Sequence, residues 1–460
     1  MLERTTKMPG NSETEKDLAV LAEQVFKGLW SYPSIQRDTG LSTSGTGKEV
    51  IDLLLYFEND VVLFSDKKIG FPIHPDIAVA WQRWYGKSVT KSVEQLCGAE
   101  KYIRKSGDRL FLDVKCQNPF HFDLRRDGLT FHLVAVTYNT VNPCRTYQSA
   151  GGERSDGSLA YNFGVHDERM VCRPFIIPNL NATETFVHVL DEISRQRIFE
   201  ELPTATDFIH YLDEKEKAVR SGRLNGVHCE SDILSNYLSN RVKDDFNISD
   251  NVRYVDDSVT VGRGDWLSYT SSKEFLTWKE KARDAQPWNE LVQRFSGFLL
   301  EATISAGREH GMAPHEKTLR YLASESIYSR AYLSDFMVNK RHEIDGFDAT
   351  NQMQALVAVS PMKKRRAYVF VFTSSEKWGG DCTEYRKESE GLMGACFRYL
   401  MLSRPDYDEV ITIAIDPVAM PQRPHTIIAF DVLDEPITER ELEDARRLWN
   451  NGIADLVWFS

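Results

Sequence analysis

The chain has no apolar run long enough to cross a bilayer, so no membrane partner is expected. Its opening, MLERTTKMPGNSETEKD, is polar without an apolar core, which argues against a secretory leader. Cysteine is scarce: seven in all, an odd number, with no C-x-x-C and no paired Cys/His spacing. That fits a reducing cytoplasm and argues against a structural zinc site. Internal repeats, low-complexity tracts and sustained heptads are missing too, which leaves out solenoids and coiled coils. Positive charge is not in excess. The net charge of −12 removes the simplest argument for nucleic acid, although a local basic face can still hold a phosphate backbone.

What remains is an ordinary globular composition, 42% apolar and 27% charged, over 460 residues, enough for two or three domains. The informative stretch is 47–68, GKEVIDLLLYFENDVVLFSDKK. Two apolar runs, 53–57 and 61–64, flank Glu58-Asn59-Asp60, which reads as a hairpin with a tight polar turn. Charge gathers at its ends. Glu49 precedes the first strand, Asp52 opens it, and Asp66, Lys67 and Lys68 close the second. A hard cation takes oxygen ligands from one or two carboxylates and keeps several waters, one of which becomes a nucleophile. A neighbouring lysine can orient that water or stabilise charge on a phosphoryl group. Alternation along a strand puts Asp66 and Lys68 on one face and points Lys67 away, unless a bulge resets the pattern.

This arrangement resembles the PD-(D/E)XK nuclease superfamily, in which an acid on one strand is followed by (D/E)-x-K on the next, often with a glutamate on a preceding helix. The resemblance covers residues 15–120. It implies Asp52 as the first acid, Asp66-Lys67-Lys68 as the second motif and Glu49 as the additional glutamate, holding Mg²⁺ or Mn²⁺ between Asp52, Asp66 and Glu49. No proline precedes Asp52, a departure from the pattern. The string is also similar to one found in bacterial proteins associated with defence against foreign DNA. In the superfamily, the helix after the core strands often sends a Gln or Lys into the site.

That helix is expected over 77–105, broken at Gly86, with Arg83, Lys87, Lys91 and Gln95 on one ridge as the candidate grip on a nucleic-acid backbone. Trp81, Trp84 and Tyr85 read as core. Elsewhere, 15–30 reads as an amphipathic helix and 31–47 as a loop. The loop ends in Gly45-Thr46-Gly47-Lys48, but Ser42 and Glu49 stand where a phosphate-binding loop needs Gly and Ser/Thr, so that motif is rejected. Strands are expected at 110–114, 129–138, 175–178 and 186–190, and helices at 193–202 and 205–219. His166, beside Asp167 and Glu168, reads as surface. Beyond a mostly helical stretch, PMKKRR at 361–366 precedes a strand at 367–372; a helix at 383–402, strands at 409–415 and 426–430 and a helix at 438–450 complete a βαββα order.

The expected fold is therefore α/β: a restriction-endonuclease-like core with a mixed central sheet over 1–148, a middle α/β region over 149–260, and a helical and α/β region over 261–460. The leading function is metal-dependent hydrolysis of DNA phosphodiester bonds. The competing one is a non-catalytic scaffold that keeps the core and binds a partner protein or a second copy.

Overall fold

The computed structural model describes residues 1–152, 155–164, 173–180, 184–241, 254–255, 258–304, 307–345, 354–372, 382–404, 406–415, 426–431, 438–440 and 443. His166 and its acidic neighbours, and most of the helix expected at 438–450, lie outside them. The chain is mixed α/β and divides into two units, Met1–Glu280 with Ser296–Ala313, and Lys281–Phe295 with Pro314–Ser460.

The first unit opens with α1 (Glu13–Phe26), whose Ser12 cap accepts from the Glu15 amide and whose Leu18, Ala22, Val25 and Phe26 are buried. Next comes β1 (Ser31–Arg37), where a loop was expected. Pro33 and the positive φ of Ser34 (52°) disguise this strand. Pro33 survives there because β1 pairs with β2 along its length, but reaches its other neighbour only at Gln36 and Arg37. A short helix, α2 (Leu41–Ser44), and the tight Gly47 follow; a Cβ on Gly47 would sit 2.6 Å from Cys116 Sγ, so the rejected phosphate-loop glycine serves close packing.

The hairpin is present as read, as β2 (Lys48–Phe57) and β3 (Asp60–Lys67), with Glu58 supplying the positive φ of the turn (54°). The next helix does break at Gly86: α3 (Ile77–Tyr85) runs through a π-helical turn, Gly86–Thr90, into α4 (Lys91–Ser106). Trp81 and Trp84 are buried, their rings stacked at 5.2 Å, as core residues. Two strands then join the sheet, β4 (Leu110–Phe111) and β5 (Thr130–Thr137).

After α5 (Val141–Ala150) come β6 (Ala160–Asn162), β7 (Ile176–Pro178), β8 (Val187–Leu190), α6 (Glu192–Glu201), α7 (Ala205–Arg220), β9 (Leu224–Val227), α8 (Glu230–Arg241), β10 (Tyr254–Val255) and β11 (Ser258–Thr260). The main sheet has the order β4-β1-β2-β3-β5-β8. β1, β2 and β3 form an antiparallel meander, and β3, β5 and β8 run parallel. Because β8 closes this sheet, the expected 148/149 boundary does not divide the fold. A smaller sheet, β10-β11-β9-β6-β7, completes the strands of this unit among the described residues. α4 packs on β2, β3 and β5; α1 packs on β1 and β2, beside α6 and α7.

Helices α9 (Asp265–Thr270), α10 (Lys273–Asp284), α11 (Gln286–Leu300), α12 (Met312–Ala323) and α13 (Ile327–Asp345) precede the last sheet. That sheet orders β12 (Gln354–Val359), β13 (Arg366–Phe372), β14 (Glu409–Ile415) and β15 (Thr426–Asp431), with α14 (Cys382–Ser403) crossing between the parallel β13 and β14. PMKKRR does not present a uniform basic face. Arg366 is buried between Glu325 (3.2 Å) and Glu409 (2.6 Å), and Arg365 pairs with Asp408. Among the described residues no helix is long and apolar enough to cross a membrane.

Candidate functional site

The hairpin register sets the site. Leu53 pairs with Phe64, so Asp52 stands across from Ser65, on the face covered by α4. Gln95 of α4 reaches down to this face. Its Nε2 donates to Asp52 Oδ1 (3.0 Å), while its Oε1 accepts from Lys67 Nζ (2.8 Å) and Ser65 Oγ (3.1 Å). Asp52, Ser65, Lys67 and Gln95 thus form one array at adjacent strand ends.

Asp66 faces the other way, as alternation requires between Ser65 and Lys67. Its Oδ1 accepts from Thr14 Oγ1 (2.7 Å) in the first turn of α1, and its Oδ2 from Tyr138 OH (2.6 Å). Arg195 of α6 donates to the same Tyr138 oxygen (2.7 Å). The backbone still links the two acids, since the Asp66 N–H donates to Asp52 Oδ2 at 2.6 Å. Lys67 points away from Asp66, as alternation requires, and so shares the face of Asp52 and Ser65, while Lys68 is exposed beyond the end of β3. Asp66, expected as a metal ligand beside Asp52, stands on the opposite face of the sheet from it; both oxygens of Asp66 accept from hydroxyls, and both oxygens of Asp52 accept from amides.

Glu49 lies at the start of β2, where Asn11 Nδ2 donates to it (3.0 Å). Burial first, and the charge of Asp52 second, push its pKa up to about 7. Burial likewise pushes Asp52 up to about 6, against hydrogen bonds from the Asp66 amide and Gln95 that pull it down. Asp66 is raised by burial and held back by Tyr138 and Thr14. Glu15 in α1 adds like charge to all three. It is a glutamate on a helix preceding the core, a position sequence reasoning assigned to Glu49. The available signal was the first turn of α1, where Glu15 lies next to Thr14. A cleft of about 350 Å³ opens beside this group, lined by Arg37, Glu49, Glu94 and Gln95 among others. Arg37 Nε is buried there without a hydrogen-bond partner, which makes it a second residue sequence reasoning missed.

No protein family, curated protein or solved structure matches this chain.

The expected basic ridge is rotated. The π-helical turn inserts an extra residue, so four-residue steps from Arg83 do not lead to the Gln95 face. Arg83, Lys87 and Lys91 are exposed, and Lys91 pairs with Glu94 at 2.6 Å. Only Gln95 of the four enters the array.

The donors fit a divalent cation in a specific sense. Asp52 and Glu49 are desolvated carboxylates in mutual repulsion, a condition that a hard cation relieves. Their oxygens do not converge with a third: among the described residues, ligand atoms within 4.8 Å of one another occur in a different group, His132, His188 and Glu216. The fit is to a cation held by two carboxylates and several waters.

Proposed function

We propose that the first unit is a divalent-metal-dependent nuclease of the PD-(D/E)XK kind, built on a restriction-endonuclease-like core, which hydrolyses DNA phosphodiester bonds. The observation that carries this reading is the Asp52–Gln95–Lys67 array: an acid, an amide and an amine on one face of adjacent strand ends, next to the raised carboxyl of Glu49. The resemblance favours DNA over RNA, and its link to bacterial defence extends the proposal to foreign DNA as the target.

Asp52 and Glu49, with the charge of Glu15 beside them, would hold Mg²⁺ or Mn²⁺, which would supply Lewis acidity and lower the pKa of a water. The chain's own residues supply the rest. Lys67 stands on the Asp52 face to orient the attacking water and to stabilise charge building on the phosphoryl oxygens. Gln95 fixes both groups through its two ends. Asp66, clamped by Thr14 and Tyr138, holds Asp52 through its amide. Arg37 in the cleft, and Arg83 and Lys87 on the exposed helix surface, offer cations to the backbone phosphates. In the displacement, the attacking water gives a proton to solvent as its oxygen bonds to phosphorus, and the bond from phosphorus to the leaving sugar oxygen breaks as that oxygen takes a proton from solvent. The second unit is free to bind a partner or sense a trigger.

Two observations favour the scaffold reading. Both oxygens of Asp66 are engaged by hydroxyl donors, and no three carboxylates of the site converge. Incubation of supercoiled and linear DNA with the wild-type protein and with Asp52→Ala, each in Mg²⁺, Mn²⁺ or chelator, separates the two. Cleavage by the wild type alone, lost in chelator, is expected. Cleavage that survives Asp52→Ala would remove this site from the chemistry, and no cleavage together with no Asp52-dependent Mn²⁺ binding leaves the scaffold.

A further inference from the structure

Two histidines stand inside otherwise apolar parallel strands: His132 in β5, TFHLVAVT, and His188 in β8, VHVL. Both are fully buried. Val134 pairs with His188, so His132 is the diagonal neighbour of His188 on the same sheet face. α7 brings Glu216 to them, and one ligand atom from each of the three lies within 4.8 Å of the other two.

The partners of these groups are unusual for a packed core. Neither ring nitrogen of His188 has a hydrogen-bond partner. His132 Nε2 is 2.9 Å from Asp60 Oδ1, while its Nδ1 has no partner. With Nε2 donating to Asp60, the free lone pair of His132 is on Nδ1. A carboxylate that takes one nitrogen of an imidazole and leaves the other as an electron-pair donor is the usual support for a metal-binding histidine. Glu216 Oε1 is held by Arg220 at 2.6 Å, which fixes the carboxylate and leaves Oε2 to ligate. Asp213, one turn earlier on α7, has its Oδ1 3.9 Å from His132 Nε2.

We propose that His132, His188 and Glu216 bind one Zn²⁺, with a water in the fourth position. Two imidazoles and a carboxylate suit a borderline metal with tetrahedral preference, and suit Mg²⁺ poorly. Burial makes the site a clamp joining β5, β8 and α7. It is separate from the Asp52 array. His132 pairs across to Val62, three positions before Ser65 in β3 and on the opposite face of the sheet, so about 10 Å of strand and the sheet itself lie between it and the Asp52 array. The scarcity of paired cysteines does not bear on it, because no cysteine takes part.

The test is metal content and Zn²⁺ titration of the full chain after chelation. The expected result is one zinc per chain in wild type and in Asp52→Ala, and none in His188→Gln or Glu216→Gln. Glu216 is partly exposed, so Glu216→Gln keeps the test usable should His188→Gln fail to fold. Substituted Co²⁺ is expected to give tetrahedral d–d bands without a thiolate charge-transfer band. Zinc also raises the Tm of wild type and not of Glu216→Gln. Absence of stoichiometric zinc in wild type, zinc retained in a folded Glu216→Gln, or a thiolate band would each overturn the proposal.

Discussion

Replacing Asp52 with Asn should stabilise the metal-free protein near neutral pH and destabilise it in acid. Asp52 is 7% exposed and its pKa is pushed from 3.8 to about 6 by burial. A carboxyl with a raised folded pKa holds its proton longer in the folded chain than in the unfolded one. Its favourable contribution is therefore complete below about pH 4 and is lost as pH rises to about 6. At about 1.4 kcal/mol per unit, the loss is about 3 kcal/mol, and Glu49 adds to it in the same direction. Asn carries no charge and removes this slope. It also leaves one donor, the Asp66 amide or the Gln95 amide, without its acceptor, at about 1–2 kcal/mol. In chelator, Asp52→Asn should thus exceed wild type by about 1–2 kcal/mol at pH 8 and fall below it at pH 4. Urea unfolding at the two pH values measures this, and saturating Mn²⁺ should reverse the order at pH 8 by binding only the wild type. A stability difference that stays constant between pH 4 and pH 8 would refute the reasoning.

Three further outcomes follow from the same geometry. Tyr138→Phe removes a donor that holds Asp66 down, so the Asp66 pKa should rise in a carboxyl NMR titration; an unchanged or lower value contradicts the clamp. Lys215 and Glu230 form a 2.5 Å pair with each side chain 1% exposed, so Lys215→Ala should cost about 3–5 kcal/mol in urea unfolding by stranding Glu230, with Lys215→Met less damaging. Arg83→Ala and Lys87→Ala, tested in the Asp52→Ala background, should each lower the slope of log affinity for DNA against log salt by about 1; an unchanged slope removes the helix surface from the interface.

The hairpin, the break at Gly86 and the elements around β13, α14 and β14 were legible because each rests on local pattern: apolar runs, a polar turn and helical spacing. The order of strands in the main sheet was not, since β8 joins it from across a long insertion. β1 was hidden by Pro33, whose tolerance depends on β4 pairing only with the far end of the strand. Within the site, Asp52 and Gln95 were legible and come together. The choice between Lys67 and Lys68 was not, because it turns on which residue stands across from Asp52, and only the register, with Ser65 there, puts Lys67 on the Asp52 face. Glu15 and Arg37 escaped because their proximity to Asp52 or Glu49 is made by packing of α1 and pairing of β1. The His132 and His188 pair left a visible mark, a polar residue inside each of two apolar strands, that local pattern alone could not connect.

The most direct test of the central claim, that the reacting face carries Asp52 and Lys67, is single-turnover DNA cleavage in Mg²⁺ by Lys67→Met and Lys68→Met beside the wild type. Cleavage lost with Lys67→Met and kept with Lys68→Met is the expected result. Cleavage lost with Lys68→Met and kept with Lys67→Met would contradict it and return the chemistry to the Asp66 face.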